Sequence, residues 1–398
     1  MRYVNEELNT PVAGRWDVLV AGGGIAGAAA ALSAARCGKR VLLLERGFLI
    51  GGLATAGLIT IYLPLCDGMG QQVSYGMAEE LLCLSISMGA EADYPDAWLD
   101  EVDLEKRRQQ RFRVRFNAQK FALLLEEQLR REDVEIYFGM QVCAVEKEGN
   151  HLRSIIAEGK GGRFAFEAVS FVDATGDADL FALAGAKTRN FAAGNILAAW
   201  YYRLCDGELC LRALGAADVP DSLCGELKRP ELLVPCTFSG LDDRENSEMV
   251  LLAHEQMLRD LRASTNNAIP VTLPTIPQLR MTRCIDGAFV LDAANQGGGF
   301  TDCIGRIADW RRRGYVYAVP LRALYGSIEN LIAAGRCISV TDDMWDISRV
   351  LPACALTGEA AGAAAAISDN FAALDVRRLQ DLLAQRCARP DIKEGSAC

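Results

Sequence analysis

Histidine is nearly missing from this chain: 398 residues hold two, His151 and His254. His151 sits in the polar turn EGNHL and His254 on a helical stretch, LLAHEQML. Neither position suits an acid, base or metal ligand, so chemistry built on paired imidazoles is excluded. Fourteen cysteines are present, yet no two are spaced C-x-x-C. Disulfide frameworks belong to small secreted chains, so these read as mostly buried thiols. Cys205 and Cys210 stand closest and lack the second cluster or nearby histidine that a metal or iron–sulfur site requires. Positive charge is short too, with 42 Lys and Arg against 52 Asp and Glu and a net charge of −10. That balance disfavours nucleic acid or an anionic membrane as partner. The polar start MRYVNEELNTPVAGR shows no signal-peptide apolar region, which makes the cytoplasm the expected compartment.

At 51% hydrophobic residues the chain can bury one large core or two moderate ones, and its length favours two lobes. The most informative segment is residues 17–45, DVLVAGGGIAGAAAALSAARCGKRVLLLE. An apolar strand enters a glycine turn, a helix of small residues follows, and a second strand ends in a carboxylate. This order makes a dinucleotide cradle. Gly22 permits the tight turn, Gly24 lets backbone approach a pyrophosphate, and Gly27 lets the helix pack on the sheet. The helix start offers free N–H groups to the anion, and Glu45 stands where a carboxylate takes ribose hydroxyls.

Beyond Glu45 the turn RGFLIGGLATAG carries Gly51, Gly52 and Thr55, suited either to a flat ligand or to a simple glycine loop. Helical spacing covers residues 73–89 and 115–132, the second with Asn117 as N-cap. Residues 134–138, 142–147, 152–158 and 163–172 alternate or run apolar, and read as an antiparallel meander. It delivers Asp173, Ala174, Thr175, Gly176 and Asp177 at a strand's carboxyl end, where open sheets bind ligands. From about residue 186 to 318 aromatics, arginines and prolines increase and the βα rhythm fades, marking a second lobe without another strand–GxGxxG unit. A nicotinamide dinucleotide would therefore bind only transiently. The last part returns to a strand, a Gly-Arg turn, Pro352 and a long Ala-Gly helix. That helix suits a close-packed core, or a partial positive charge beside the anionic end of a reduced flavin ring.

Taken together, GGGIAG with Glu45, GGLATAG, the meander into DATGDAD, and NLIAAGRCIS with the LTGEAAGAAAA helix resemble the FAD-dependent oxidoreductases of the glutathione reductase and p-hydroxybenzoate hydroxylase superfold. The likeness is greatest to the bacterial FAD-dependent oxidoreductase family, through PV-x-x-x-x-DV from Pro11 to Val18, the arginine pair in LRMTR, and RV-x-P from Arg349 to Pro352. The resemblance implies an α/β fold: a Rossmann-type FAD-binding domain with a three-layer sheet and β-meander, plus a mixed α+β substrate domain. The implied division is 1–185 and 320–398 for the FAD-binding domain and 186–319 for the substrate or cap domain.

By the same resemblance Gly22, Gly24 and Gly27 receive the pyrophosphate and Glu45 the adenosine ribose. Gly176 and Asp177 flank the pyrophosphate, while Gly335 and Asp343 approach the ribityl chain. The implied cofactor set also includes Ile25, Ala26, Arg46, Gly51, Gly52, Thr55, Val142, Ala174, Thr175, Arg336, Gly358, Ala360 and Ala361. FAD is expected noncovalently, without metal or iron–sulfur cluster, because Cys66 and Cys354 stand in no redox pair. The flavin subunit of heterodisulfide reductase is similar in these motifs but carries cysteine-rich cluster sequences that this chain lacks.

A flavin performs the redox step, so the protein must position a substrate, exclude water and supply any proton. Arg280 and Arg283 suit a fork for a carboxylate-bearing substrate, or an exposed ion pair. Tyr317 and Arg349 suit a proton donor or oxyanion holder, or packing between lobes. The expected activity is hydride transfer between flavin and a small organic substrate, with transient NAD(P)H or another electron partner. An aromatic hydroxylase and a non-catalytic flavin-binding protein are the alternatives, and AAGRC in place of the hydroxylases' DG signature weighs against the former.

Overall fold

The computed structural model describes residues 2–91, 104–109, 113–215, 232–264 and 268–387. Residues 388–398, the end of the expected C-terminal part of the cofactor domain, lie outside them.

The first strand, β1 (Val12–Ala21), is wholly buried along its final residues and pairs in parallel with β2 (Val41–Glu45), Val18 opposite Val41. Between them helix α1 (Ile25–Ala35) makes the crossover, as two parallel neighbours require. On its other side β1 pairs in parallel with the long strand Gly162–Asp173, bringing Ala21 beside Asp173. That strand serves two partners along one edge. Its first half pairs antiparallel with His151–Gly159, which pairs in turn with Gln141–Glu148, while its last residues pair in parallel with Leu331–Ala333. The meander thus extends the same seven-stranded sheet through the first half of that strand, and the C-terminal part of the chain adds a parallel partner to its last residues. The result is the Rossmann-type α/β arrangement implied by the motifs.

One element departs from the sequence reading. Residues 134–138 are not a meander strand: Glu135–Phe138 pairs in parallel with β2. The amphipathic helix Ala118–Arg131, capped by the Asn117 side chain accepting from the Gln119 and Lys120 N–H groups, is a crossover, and a crossover feeds a parallel strand. Backbone bonds from Gly139 to the Gly47 carbonyl and from Met140 to the Glu45 carbonyl then tie its end to the glycine turn.

The alanine-rich helix Leu351–Ile367 packs along α1 with backbone nearly touching backbone. A methyl group on Gly358 would lie 2.2 Å from the Ala26 carbonyl oxygen, and one on Gly362 2.1 Å from that of Ala30. Only small residues allow this approach, so the alanine run is a packing device. A separate apolar cluster brings Leu197 and, from the strand Ala198–Cys205, Ala199 and Tyr201 against Met249, Ala253 and Met257 of the helix Asp243–Ala263. The hairpin Cys303–Ala308 and Val316–Pro320 instead inserts Ile304, Ile307, Tyr317 and Val319 into the large core. No single helix among the described residues is long and apolar enough to cross a membrane.

Candidate active site

The carboxyl ends of the parallel strands converge on a cavity of about 490 Å³. Gly22 turns the chain off β1 at φ +100°, and a side chain there would strike the Ala174 carbonyl. A methyl on Gly27 would lie 1.8 Å from the Gly22 carbonyl oxygen, so Gly27 seats α1 and does not face the cavity. Gly24 differs from both. Its φ is an ordinary −66°, and a methyl there would meet no protein atom within 4 Å. The protein does not need glycine at this position for its own packing; the open space lies in the cavity wall at the uncapped start of α1.

Glu45 closes β2. One of its oxygens accepts from the Gly23 N–H and the other from the Gly47 N–H, both at 2.6 Å. The carboxylate is therefore fixed in the cavity wall with further lone pairs available. Arg46, Met140 and Val142 line the cavity beside it. Gly51 and Gly52 also line it, with the Gly51 N–H donating to Gly23. Thr55 does not: it is fully buried, and its hydroxyl donates to the Ile50 carbonyl as a prop beneath the loop.

At the other end, Ala174, Thr175, Gly176, Gly335 and Arg336 contribute to the wall, followed by Arg349, Leu351 and Cys354. The helix Leu351–Ile367 begins here without a side-chain cap and with Pro352 in its first turn, so its positive end faces the cavity. Residues 275–279 form a strap along the cavity, with Thr275, Ile276, Pro277 and Leu279 in the lining. The strap is pinned at both ends, by the Thr275 N–H to Ala56 and by the Arg336 guanidinium to the Leu279 carbonyl.

Several residues singled out in the sequence take other positions. Asp177 is 7% exposed and turned from the cavity; one of its oxygens accepts from the Thr282 hydroxyl and from Arg336, each at 2.5 Å. Burial works to raise this carboxyl, but the Arg336 guanidinium and the Thr282 hydroxyl outweigh it and hold it below the usual carboxylate range. Asp179, unremarked in the sequence, lines the cavity instead. Asp343 lies on the helix Asp342–Ser348 outside the lining, and Gly358, Ala360 and Ala361 are buried in the alanine-rich helix, also away from it.

The arginine fork is not formed. Arg283 donates to the Asp177 carbonyl and to Asp179, each at 2.7 Å, while the Arg280 guanidinium lies 5.1 Å over the Trp200 ring. Tyr317 is 1% exposed within the large core, where burial and then Asp309 raise its phenol, and it does not reach the cavity. Of the four candidates for chemistry, Arg349 alone lines the cavity. Cys354 lines it too, but burial pushes its thiol up to about 12, so it stays protonated at neutral pH. Neither histidine lines the cavity, and no group of three or more metal-ligating side chains occurs among the described residues.

A glycine-turn cradle, a carboxylate at the end of the second strand, a meander and a returning C-terminal strand and helix define a dinucleotide-binding oxidoreductase fold. The space at Gly24 and the uncapped start of α1 fit a pyrophosphate, as FAD carries. The chain belongs to the FAD dependent oxidoreductase family, whose model matches residues 17–198 and 286–383. Membership of that family implies FAD, held noncovalently, as the cofactor.

A thioredoxin reductase of Ureaplasma parvum serovar 3 (strain ATCC 700970) is 33% identical over 92 residues, which are 23% of this chain and 28% of that protein. The match thus spans little more than a quarter of that relative. Among solved structures, a geranylgeranyl bacteriochlorophyll reductase-like protein from Thermoplasma acidophilum aligns with 94% of this chain and 84% of its own at 13% identity and a TM-score of 0.48. The p-nitrophenol 4-monooxygenase of Pseudomonas putida DLL-E4 aligns with 96% and 84% at 16% identity, again with a TM-score of 0.48.

Proposed function

We propose that this enzyme exchanges a hydride between FAD and a small organic molecule bound where the strap of residues 275–279 meets Arg349 and the start of the helix Leu351–Ile367. In this reading residues 1–185 and 320–398 hold the cofactor and residues 186–319 cover it. FAD, when bound, supplies a ring nitrogen that accepts or returns the hydride. The protein's work is to bind, orient and enclose. Gly22, Gly24 and the N–H groups of Ile25 and Ala26 receive the pyrophosphate, and Glu45 accepts from the ribose hydroxyls. The positive end of the helix Leu351–Ile367 favours negative charge on the reduced ring. Leu279, Pro277 and Leu351 exclude water, and Arg349 orients the second molecule.

The observation that carries this reading is the cavity itself, which joins the glycine turn to Arg349 along a strap from the second lobe. A transient NAD(P)H or another electron partner completes the cycle, because the chain has no second glycine-turn unit to hold one. Anaerobic stopped-flow mixing of the yellow enzyme with NAD(P)H and metabolite pools tests it. Flavin bleaching by a small metabolite, or reoxidation by one, is expected. Oxygen consumption with a hydroxylated product would assign the enzyme to monooxygenation, and a flavin that no metabolite oxidises or reduces would leave a non-catalytic binding protein.

A further inference from the structure

We infer that the molecule recognised at this end of the cavity is a carboxylate, that Arg349 binds it, and that Asp346 is the positioning residue that aims Arg349. This rests on the hydride-transfer reading above and adds the substrate class and a residue outside the motifs.

Arg349 stands at the break between the helices Asp342–Ser348 and Leu351–Ile367, which meet at 87°. The bend puts Arg349 in the cavity wall together with Leu351. One nitrogen, Nη2, donates to Asp346 Oδ1, one helical turn back. The other Asp346 oxygen accepts from Arg311 Nη1 at 3.2 Å. Arg311 in turn clamps the fully buried Asp309, through its backbone N–H at 2.8 Å and its Nε at 3.2 Å. The Trp310 indole donates to the Asp346 carbonyl. Arg349 is thus held at one nitrogen by a residue whose carboxylate is fixed by Arg311 and whose main-chain carbonyl is fixed by Trp310.

The rest of the guanidinium is not spent. Arg349 Nε is buried and meets no acceptor among the described residues. A buried donor without acceptor is costly, and in the wall of a cavity a bound anion would relieve that cost. A guanidinium edge offers two parallel N–H groups that match the two oxygens of a carboxylate. The apolar neighbours Leu279, Pro277 and Leu351 suit one planar monoanion better than a phosphate, which needs more donors. Arg336, the next cation in the lining, already donates to Gly176, Leu279 and Asp177.

The sign of one variant separates positioning from field. Asp346 is a negative charge close to the proposed anion site, so by Coulomb's law alone its removal tightens anion binding. If Asp346 acts by aiming Arg349, removal weakens it. FAD-loaded protein is titrated with acetate, benzoate and succinate, and separately with acetamide, benzamide and succinamide, following the visible flavin spectrum. Acids, and not amides, are expected to perturb the spectrum. Arg349→Met is expected to raise the dissociation constant of the acids about tenfold or more, with Arg349→Lys intermediate and FAD content unchanged. Asp346→Asn is expected to raise it about threefold.

Amides binding as well as acids, or unchanged acid binding in Arg349→Met, overturns the proposal. Tighter acid binding in Asp346→Asn overturns the positioning role. If Asp346→Asn loses FAD, Asp346→Glu takes its place, because it keeps the charge and displaces the carboxylate that aims Arg349, and unchanged acid binding there overturns the positioning role. Acid binding that depends on Arg349, in an enzyme whose flavin no carboxylate reduces or reoxidises, would sink the hydride-transfer reading and leave this one standing.

Discussion

The Arg336 guanidinium donates to Asp177 at 2.5 Å inside the protein, and the same guanidinium holds the Gly176 and Leu279 carbonyls. One side chain therefore ties the turn after the central strand to the strap along the cavity.

Breaking that pair from one side leaves the other charge buried and alone. Arg336→Met is expected to destabilise the fold by about 3–5 kcal/mol and to release FAD. Urea unfolding and flavin content measure both. Asp177, held below its unfolded value, contributes stability that is fully present above about pH 4 and is lost as pH falls through its folded value. Acid unfolding of Asp177→Asn is expected to lack that component.

Gly24→Ala separates folding from cofactor binding. Because φ is ordinary there and a methyl meets no protein atom, the apoprotein's unfolding midpoint is expected to stay within about 0.5 kcal/mol of the parent. FAD affinity is expected to fall at least about tenfold, as the methyl fills the space a pyrophosphate needs, and Gly24→Asp is expected to abolish retention. Fluorescence titration of the apoprotein with FAD reads this directly, and full occupancy in either variant would refute the cradle.

Gly358→Ala does the reverse. Its methyl would meet the Ala26 carbonyl at 2.2 Å, between backbones that cannot separate without moving α1. A loss of about 1–3 kcal/mol is expected, visible as a lowered melting temperature in the apoprotein.

Asp173 gives the pH response a second component of opposite sign. Its carboxyl is fully buried, accepting from the Thr175 hydroxyl and the Leu180 and Phe181 N–H groups, and burial raises it to about 6 despite those bonds. The unfolded chain releases this proton near pH 4. Between those values the folded state binds more protons, so this contribution is full below about pH 4 and declines as pH rises to about 6. The stability difference between the parent and Asp173→Asn is expected to change over that interval and to level above it. Urea midpoints at pH 4, 5, 6 and 7 would show it.

Tyr317→Phe is expected to leave turnover unchanged, since the phenol is enclosed in the core and does not reach the cavity. A loss of kcat with intact FAD content would restore it as a proton donor.

Local signals were the readable ones. The turn at Gly22, the small residues of α1, the Asn117 cap and the strand from 163 onward are each specified within a few neighbouring residues. What stayed hidden depends on partners far along the chain. Alternation shows that residues 134–138 form a strand, but says nothing of which edge it joins. Arg283 looked available because Asp179, its partner, lies about a hundred positions away. Gly358, Ala360 and Ala361 looked like ligand-facing small residues because crowding against α1 has the same composition as room for a cofactor. Asp346 carried no motif at all; its meaning comes from Arg311 and Arg349 meeting it on two sides.

The strand Leu331–Ala333 pairs beside Asp173, and the turn that follows it supplies Gly335 and Arg336. Biosynthesis therefore leaves the nascent polypeptide with an incomplete flavin seat until residues 331–336 have emerged. Ribosome-stalled chains ending before Leu331 will emerge colourless, and capture of the vitamin-derived ligand will wait until the turn carrying Gly335 and Arg336 has been made.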